Sequence, residues 1–449
     1  MRILQRLVRR RSFLGLAALA AVRVSAAPAA PSLPHVNAAR LRERVEGLSV
    51  FGRPPGGTFA DGVSRVGFTE ADRAGRVYTM SLMRELGLEP GIDSAGNISG
   101  LRAGTAPGLQ PILFGSHIDS VRGGGNFDGD VGSMGALEVV ATLSENRIAT
   151  RHPLEVVIWA AEESNYGGGL HGSRMAVGEI EPGEWDRVQD GISKRDALRG
   201  IGGDPDRIVE ARRPAGSFHA YLELHVEQGG KLDRAGIPIG VVEGIVTIDD
   251  YDVTVRGFAN HAGTTPMPER RDALVAASRV VLAVREIATA EAGAPVGTVG
   301  QLSVSPGAPN VVPGLVRLTV EFRDLSGDTV TRLGAALRRR VDAIARETST
   351  EIELTRSSRH EGARASPRIQ AAIEAAAATR GLRSMRLPSG AGHDAQMMAR
   401  LGPMGMIFVP SVGGVSHSPR ELSRWEDCAH GADVLLGTIL ELDRIDRIG

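Results

Sequence analysis

From about residue 35 onward the chain alternates between two hydrophobic rhythms. The segments "PILFGSH" (111–117) and "LEVVIWAAEE" (154–163) are short, nearly continuous apolar runs, the pattern of strands buried on both faces. Between and around them, "TEADRAGRVYTMSLMRELGLEP" and "MGALEVVATLSEN" place apolar residues at helical intervals, and the first of these stops at Gly87. This alternation predicts an α/β layer built on a mixed, largely parallel sheet. Ligands of such open sheets collect beyond the carboxyl ends of the strands. The stretch "GSHIDSVRGGGNFDGDVG" (115–132) and the pair Glu162-Glu163 both fall at such ends.

From about Thr247 the order changes to strand "DDYDVTVRGFA", helix "DALVAASRVVLAVREIAT", strands "GTVGQLSVSP" and "GLVRLTVEFRD", helix "DTVTRLGAALRRRVDAIARET" and strand "TEIELTRSS". That β-α-β-β-α-β order predicts an inserted ferredoxin-like α+β domain. The expected organisation is therefore an N-terminal segment at 1–33, a first catalytic part at 34–245, the inserted lid or dimerisation domain at 246–358, and a second catalytic part at 359–449. Gly240 to Gly244 is the expected hinge between them.

Composition narrows the partners. A formal net charge of -1 over 449 residues leaves no basic surplus for nucleic acid or an anionic membrane surface, so a small molecule is the expected partner. Cys428 is the one cysteine, which excludes an internal disulfide and a cysteine-based zinc site. Any metal must be held by His, Asp and Glu, donors that suit zinc, manganese or cobalt. At the start, "RRRSFLGLAALAAV" sets Arg10 and Arg11 before a short apolar run, and "VSAAPAA" follows with small residues. This reads as a twin-arginine export signal rather than a membrane anchor, with the periplasm as the expected location.

The residues able to carry chemistry are His117 and Asp119 as H-x-D, Asp128 in "NFDGDVG", Glu162-Glu163, His225 in "LELHVEQG" and His417 in "GVSHSPRE". Each stands at a strand end or in a glycine-flanked loop. Imidazoles and carboxylates bind zinc or manganese, and carboxylates gathered at one point repel without a cation between them.

Six ordered segments carry a resemblance: "GSHIDSVRGGGNFDGDVG", "AAEES", "LELHVEQGGKL", "GFANHAGTTPMPERRDA", "PNVVPGLVRLTVEFRD" and "PSGAGHDAQMMARLGPMGMIFVPSVGGVSHSPRE". Together they resemble the metal-dependent hydantoinase/carbamoylase-type amidohydrolases, which cleave N-carbamoyl-L-amino acids, ureidopropionate and allantoate. These belong to a wider clan of two-metal aminoacylases and carboxypeptidases.

The resemblance implies two divalent ions per subunit (zinc, manganese, cobalt or nickel), one held by His117 and His225, the other by Glu163 and His417, with Asp128 bridging. It makes Glu162 the general base and Asp119 the partner that orients the His117 imidazole. The glycines of 115–132 then serve to turn the backbone so that His117 and Asp128 face one point. His261 is implied as the oxyanion contact, reaching the neighbouring subunit of a homodimer. Asn310 and Arg323 are matched to a substrate carboxylate, with Gln228 and His393 also on the substrate side. For Arg323 the plain alternative is an ion pair with Asp324 or another nearby acid.

The chain departs from the pattern where Ser164, Asn165 and Tyr166 follow the glutamate pair, which bears on substrate identity more than on metal binding. The reading is thus a two-metal hydrolase of linear amide or ureido C–N bonds. The alternatives are an aminoacylase or dipeptidase of the same clan, or a periplasmic binding protein without catalysis.

Overall fold

The computed structural model describes residues 33–448 except 164. The expected export signal falls on residues 1–32 and so lies outside the described residues, as does Ser164. Among the described residues no helix is long and apolar enough to cross a membrane.

The larger sheet takes its central strands from the apolar runs. In chain order these are β1 (Ile98–Arg102), β2 (Ile112–His117), β3 (Leu154–Trp159), β4 (Ala220–Val226) and β5 (Ile239–Ile245). β2 and β4 are buried along their whole length. Their alternation serves both faces: Ile112 and Phe114 pack on one side with residues of the helices Ala38–Leu48, Asp130–Glu145, Pro367–Thr379 and Trp425–Leu442, while Leu113 joins Trp159, Tyr221 and Phe408 on the other.

The second sheet is made of β6 (Thr247–Arg256), β7 (Val296–Ser305), β8 (Leu315–Asp324) and β9 (Glu351–His360), in the order β7-β8-β6-β9 and antiparallel throughout. Along β6 burial alternates, and Tyr251, Val253 and Val255 face the helices Ala273–Ala290 and Gly327–Thr348 to form a separate core. The chain then returns to the larger sheet with β10 (Ser384–Ser389) and β11 (Met404–Val409).

The spatial order of the larger sheet is Gly91–Ile92, β1, β3, β2, β4, β11, β5, Ala363–Arg364, with β10 also beside β5. Parallel pairing is confined to β3-β2-β4-β11 and to β10 with β5; β1 and the β5 edge pair antiparallel. The sheet is therefore mixed, with a parallel centre and antiparallel neighbours towards both edges.

Three local expectations are corrected. The helix "MGALEVVATLSEN" begins earlier, at Asp130, directly after Gly129 in a left-handed conformation, and Asp130 stands in its first turn. The strand "LEVVIWAAEE" stops at Trp159, because Ala161 takes φ 49° and turns the chain out of the ladder. Gly240 and Gly244 lie inside β5, so the passage between the sheets is not there: the chain crosses at Val246 and returns through Glu361–Gly362.

Candidate active site

Register brings the first two histidines level. β2 pairs with β4 in parallel up to Phe114 opposite Leu222, and three residues further stand His117, the last residue of β2, and His225, the last but one of β4, with ring centroids 5.7 Å apart. His225 Nδ1 lies 2.9 Å from the Val226 carbonyl, leaving Nε2 to face inward. The loop from His117 to the helix at Asp130 supplies Asp128. Buried Arg65 fixes that loop by donating to the Ile118 carbonyl at 2.5 Å and to the Asp130 carboxylate.

Gly129 makes the approach possible. With φ 66° it packs flat on the His117 ring, where an added Cβ would stand 2.4 Å from His117 Cε1. The glycine-rich spacing thus has the purpose expected of it.

Asp128 is the meeting point. Its Oδ1 lies 3.0 Å from His225 Nε2 and 3.5 Å from His117 Nε2, while its Oδ2 lies 3.4 Å from His417 Nε2. His417 Nε2 is also 3.4 Å from Glu163 Oε1. Two donor sets result, His117-Asp128-His225 and Asp128-Glu163-His417, each with its donor atoms within 4.8 Å of one another. Glu162 Oε2 stands 3.8 Å from His117 Nε2 and belongs to neither set.

The electrostatics match a site made for cations. Burial works against the charged form of Asp128, but the His225, His117 and His417 imidazoles hold its carboxyl well below the ordinary range. Burial pushes Glu162 well above its ordinary value, and pushes Glu163 up to about 7 with help from Asp128. His417 is pushed up to about 9, first by its hydrogen bond to Asp128. Three carboxylates and three imidazoles packed this closely hold one another in check only by binding protons, and divalent cations would take the place of those protons. Two N/O donor sets sharing one carboxylate fit a pair of such ions.

Asp119 does a different job from the one expected. His117 Nδ1 meets the Asp119 backbone carbonyl at 3.0 Å, whereas the nearer carboxylate oxygen is 3.6 Å away. The carboxylate instead accepts the N–H groups of Glu162 and Glu163, each at 3.1 Å. It therefore orients the glutamate pair, and the backbone orients the imidazole.

The substrate-side residues divide. Gln228 is at the cluster, its Nε2 donating to Asp128 Oδ2 at 2.7 Å. His393 lies behind His225, ring centroids 4.5 Å apart, with Nε2 2.9 Å from Ser389 Oγ. The other three lie on the second-sheet segment. His261 is exposed on the two-residue strand Asn260–His261, which pairs with Val311–Val312 and so brings Asn310 beside it. Ala262 N–H donates to the Asn310 carbonyl at 2.9 Å. Arg323 is held bidentately by Glu321, at 2.7 and 2.8 Å, and donates to the Gly390 carbonyl at 2.6 Å. Within its own chain Arg323 thus has the ion pair of the plain alternative, with Glu321 rather than Asp324. Adjacent strand residues point apart, whereas i and i+2 share a face.

Two site residues escaped the sequence reading. Glu421 Oε1 accepts the N–H groups of Phe127 and Asp128, both at 3.0 Å, and its Oε2 accepts Ser416 Oγ at 2.7 Å. Ser416 Oγ also reaches Asp128 Oδ2 at 3.2 Å. Their place in "GVSHSPRE", beside His417, was the available signal.

Known proteins are similar to this chain along most of its length. The model of peptidase family M20/M25/M40 matches residues 113–441. An N-carbamoyl-L-amino acid amidohydrolase of Geobacillus stearothermophilus is 41% identical over 405 residues, covering 90% of this chain and 98% of the relative. A ureidoglycolate hydrolase of Arabidopsis thaliana is 34% identical over 417 residues, covering 91% of this chain and 87% of the relative. The crystal structure of an amidase of the hydantoinase/carbamoylase family from Burkholderia multivorans superposes with a TM-score of 0.85 at 36% identity, covering 91% of this chain and 98% of that one.

Proposed function

The chain belongs to peptidase family M20/M25/M40, and from that premise we propose that it is a two-metal amidohydrolase acting on linear ureido or amide C–N bonds, with N-carbamoyl-L-amino acids as its substrate class. The observation that carries the reading is Asp128, which offers one oxygen to each of two donor sets while Glu162 stands free of both. His117, His225 and Asp128 Oδ1 would hold one ion, and Glu163, His417 and Asp128 Oδ2 the other. When bound, the cations supply the Lewis acidity that makes water a nucleophile at neutral pH.

Glu162 takes the proton of the attacking water and delivers it to the departing nitrogen. Water oxygen joins the ureido carbon as the C–N bond breaks, giving the amino acid and, from the carbamoyl group, carbon dioxide and ammonia. Asp119 keeps Glu162 and Glu163 in register during these transfers by holding their amides.

His261, Asn310 and Arg323 complete the site from the second-sheet segment of a neighbouring subunit, His261 at the oxyanion and the other two at the substrate carboxylate, with Gln228 beside the ions. A homodimer is supported by the edge strand β7, which leaves Val296 and Leu302 exposed, and by Val275 and Leu282, exposed on the adjoining helix. Location in the periplasm is supported by Arg10-Arg11 and the apolar run after them.

The test is turnover of N-carbamoyl-, N-acetyl- and dipeptide substrates by the purified, metal-loaded protein. Cleavage of the ureido compounds is expected, with Glu162→Gln keeping its metal but losing about 10²- to 10⁴-fold in kcat. Cleavage of acetyl or peptide substrates alone, or full activity in Glu162→Gln, would overturn the assignment.

A further inference from the structure

The turn that carries Glu162 and Glu163 contains an unusual amount of backbone strain. Ala161 (φ 49°), Tyr166 (φ 49°) and Leu170 (φ 55°) are all non-glycine residues in the left-handed region, and so is Phe68 (φ 69°) on the segment that faces them. Such residues persist only where their surroundings over-determine them. The surroundings here are specific. Asn165, buried, donates from Nδ2 to the Gly67 carbonyl at 2.6 Å and accepts the Tyr166 N–H at 3.0 Å. The Phe68 ring meets Tyr166 and His171 edge-on, with centroids 5.9 and 5.1 Å apart. The Phe68 N–H is itself fixed by Asp72 Oδ2 at 2.7 Å.

Gly67 lies closest of all. A Cβ built on it would stand 2.6 Å from Ala161 Cβ and 3.4 Å from Asp119 Oδ2. Its neighbours are thus the residue immediately before Glu162 and the carboxylate that receives the Glu162 and Glu163 amides. Ala161 Cβ is a short, stiff obstacle, so any side chain at 67 must displace the turn.

We propose that Gly67 and Asn165 are positioning residues for the reaction: the segment 66–68 props Ala161 and the Asn165–Tyr166 pair from behind and sets where the Glu162 carboxylate stands relative to Glu163. Neither residue touches any of the metal-donor atoms. This rests on Glu162 being the base and Glu163 a metal ligand, as assigned above. It gives Asn165, part of the departure from the family pattern, a role in holding the turn rather than in reading the substrate.

The experiment compares Gly67→Ala, Asn165→Ala and the double variant Gly67→Ala with Ala161→Gly, in which the obstructing Cβ is gone. Each is loaded with Co²⁺ and read three ways: metal content, the visible Co²⁺ spectrum, and kcat and KM separately on N-carbamoyl-L-alanine. Gly67→Ala should keep its metal and its KM, lose kcat by roughly 10²-fold as expected for a displacement near 1 Å, and show an altered Co²⁺ spectrum. The double variant should recover both kcat and spectrum. Asn165→Ala should lose kcat in the same direction, and it decides alone if Gly67→Ala does not fold.

Wild-type kcat and spectrum in both single variants would overturn the proposal, and so would losses that Ala161→Gly does not repair. Full activity in Glu162→Gln counts instead against the assignment of the base. If the wild-type protein proves inactive on every ureido and amide compound, the substrate assignment fails and the Co²⁺ spectra still decide the role of Gly67.

Discussion

Glu421 Oε1 accepts the backbone N–H of Asp128 at 3.0 Å, so the loop bearing His417 also holds the shared aspartate from behind. With Ser416 hydrogen-bonded to both carboxylates, one short segment supplies a donor and orients another. Partners of this kind tune metal affinity without touching the ion. Glu421→Ala is expected to weaken metal binding by about 10- to 100-fold while leaving the fold intact. Calorimetric titration of the metal-free protein with Zn²⁺ measures it, and affinity equal to wild type would remove Glu421 from the centre.

The split of Asp128 between two donor sets predicts an asymmetry among variants. Replacing Asp128 with Ala should impair both ions, whereas His225→Ala and His417→Ala should each leave one set of donors untouched. Metal content after dialysis against a weak chelator is the measurement. Equal loss in all three variants would mean that the sets are not separable.

His261 is exposed and bonded within its own turn, and Arg323 is engaged by Glu321 and the Gly390 carbonyl. His261→Ala should retain metal and lose kcat. Mixed with a Glu162→Gln partner it should regain part of the activity, because a dimer of the two keeps one site with both residues. Mixed dimers that form without any recovery would refute the shared site.

A prediction about pH comes from the far end of the sheet. His219 and His152 stack with ring centroids 4.1 Å apart, and His219 Nε2 faces the Leu442 carbonyl at 3.2 Å. Burial, and then the neighbouring His152, push the His219 imidazole down to about 4. The folded state therefore prefers neutral His219, and the unfolded chain binds the extra proton near its ordinary value of about 6.5. Stability from this group is full above about 6.5 and is lost as pH falls toward 4. The melting temperature should drop across that window, and His219→Phe should flatten the drop. An unchanged slope in the variant would contradict the assignment.

Much of the site was legible because its donors sit at marked places. His117 and His225 end apolar runs, and Asp128 precedes a glycine whose positive φ the ring of His117 requires. What stayed hidden has a common physical character. The work of Asp119 and Glu421 is done on backbone N–H groups, which have no letter in the sequence. The strand end at Trp159 depends on one alanine adopting φ 49°, which no alanine advertises. Likewise, the antiparallel placement of β5 between β11 and Ala363–Arg364 is a long-range choice that local periodicity does not encode. By contrast, the pairing of Arg323 with Glu321 follows from strand alternation and was within reach.

The donors are drawn from segments as far apart as His117 and His417. A chain that stops short of His417 keeps the His117-Asp128-His225 set but cannot assemble the Asp128-Glu163-His417 set. The second donor set is thus a late product of the chain, available only once its C-terminal segment has folded back beside Asp128.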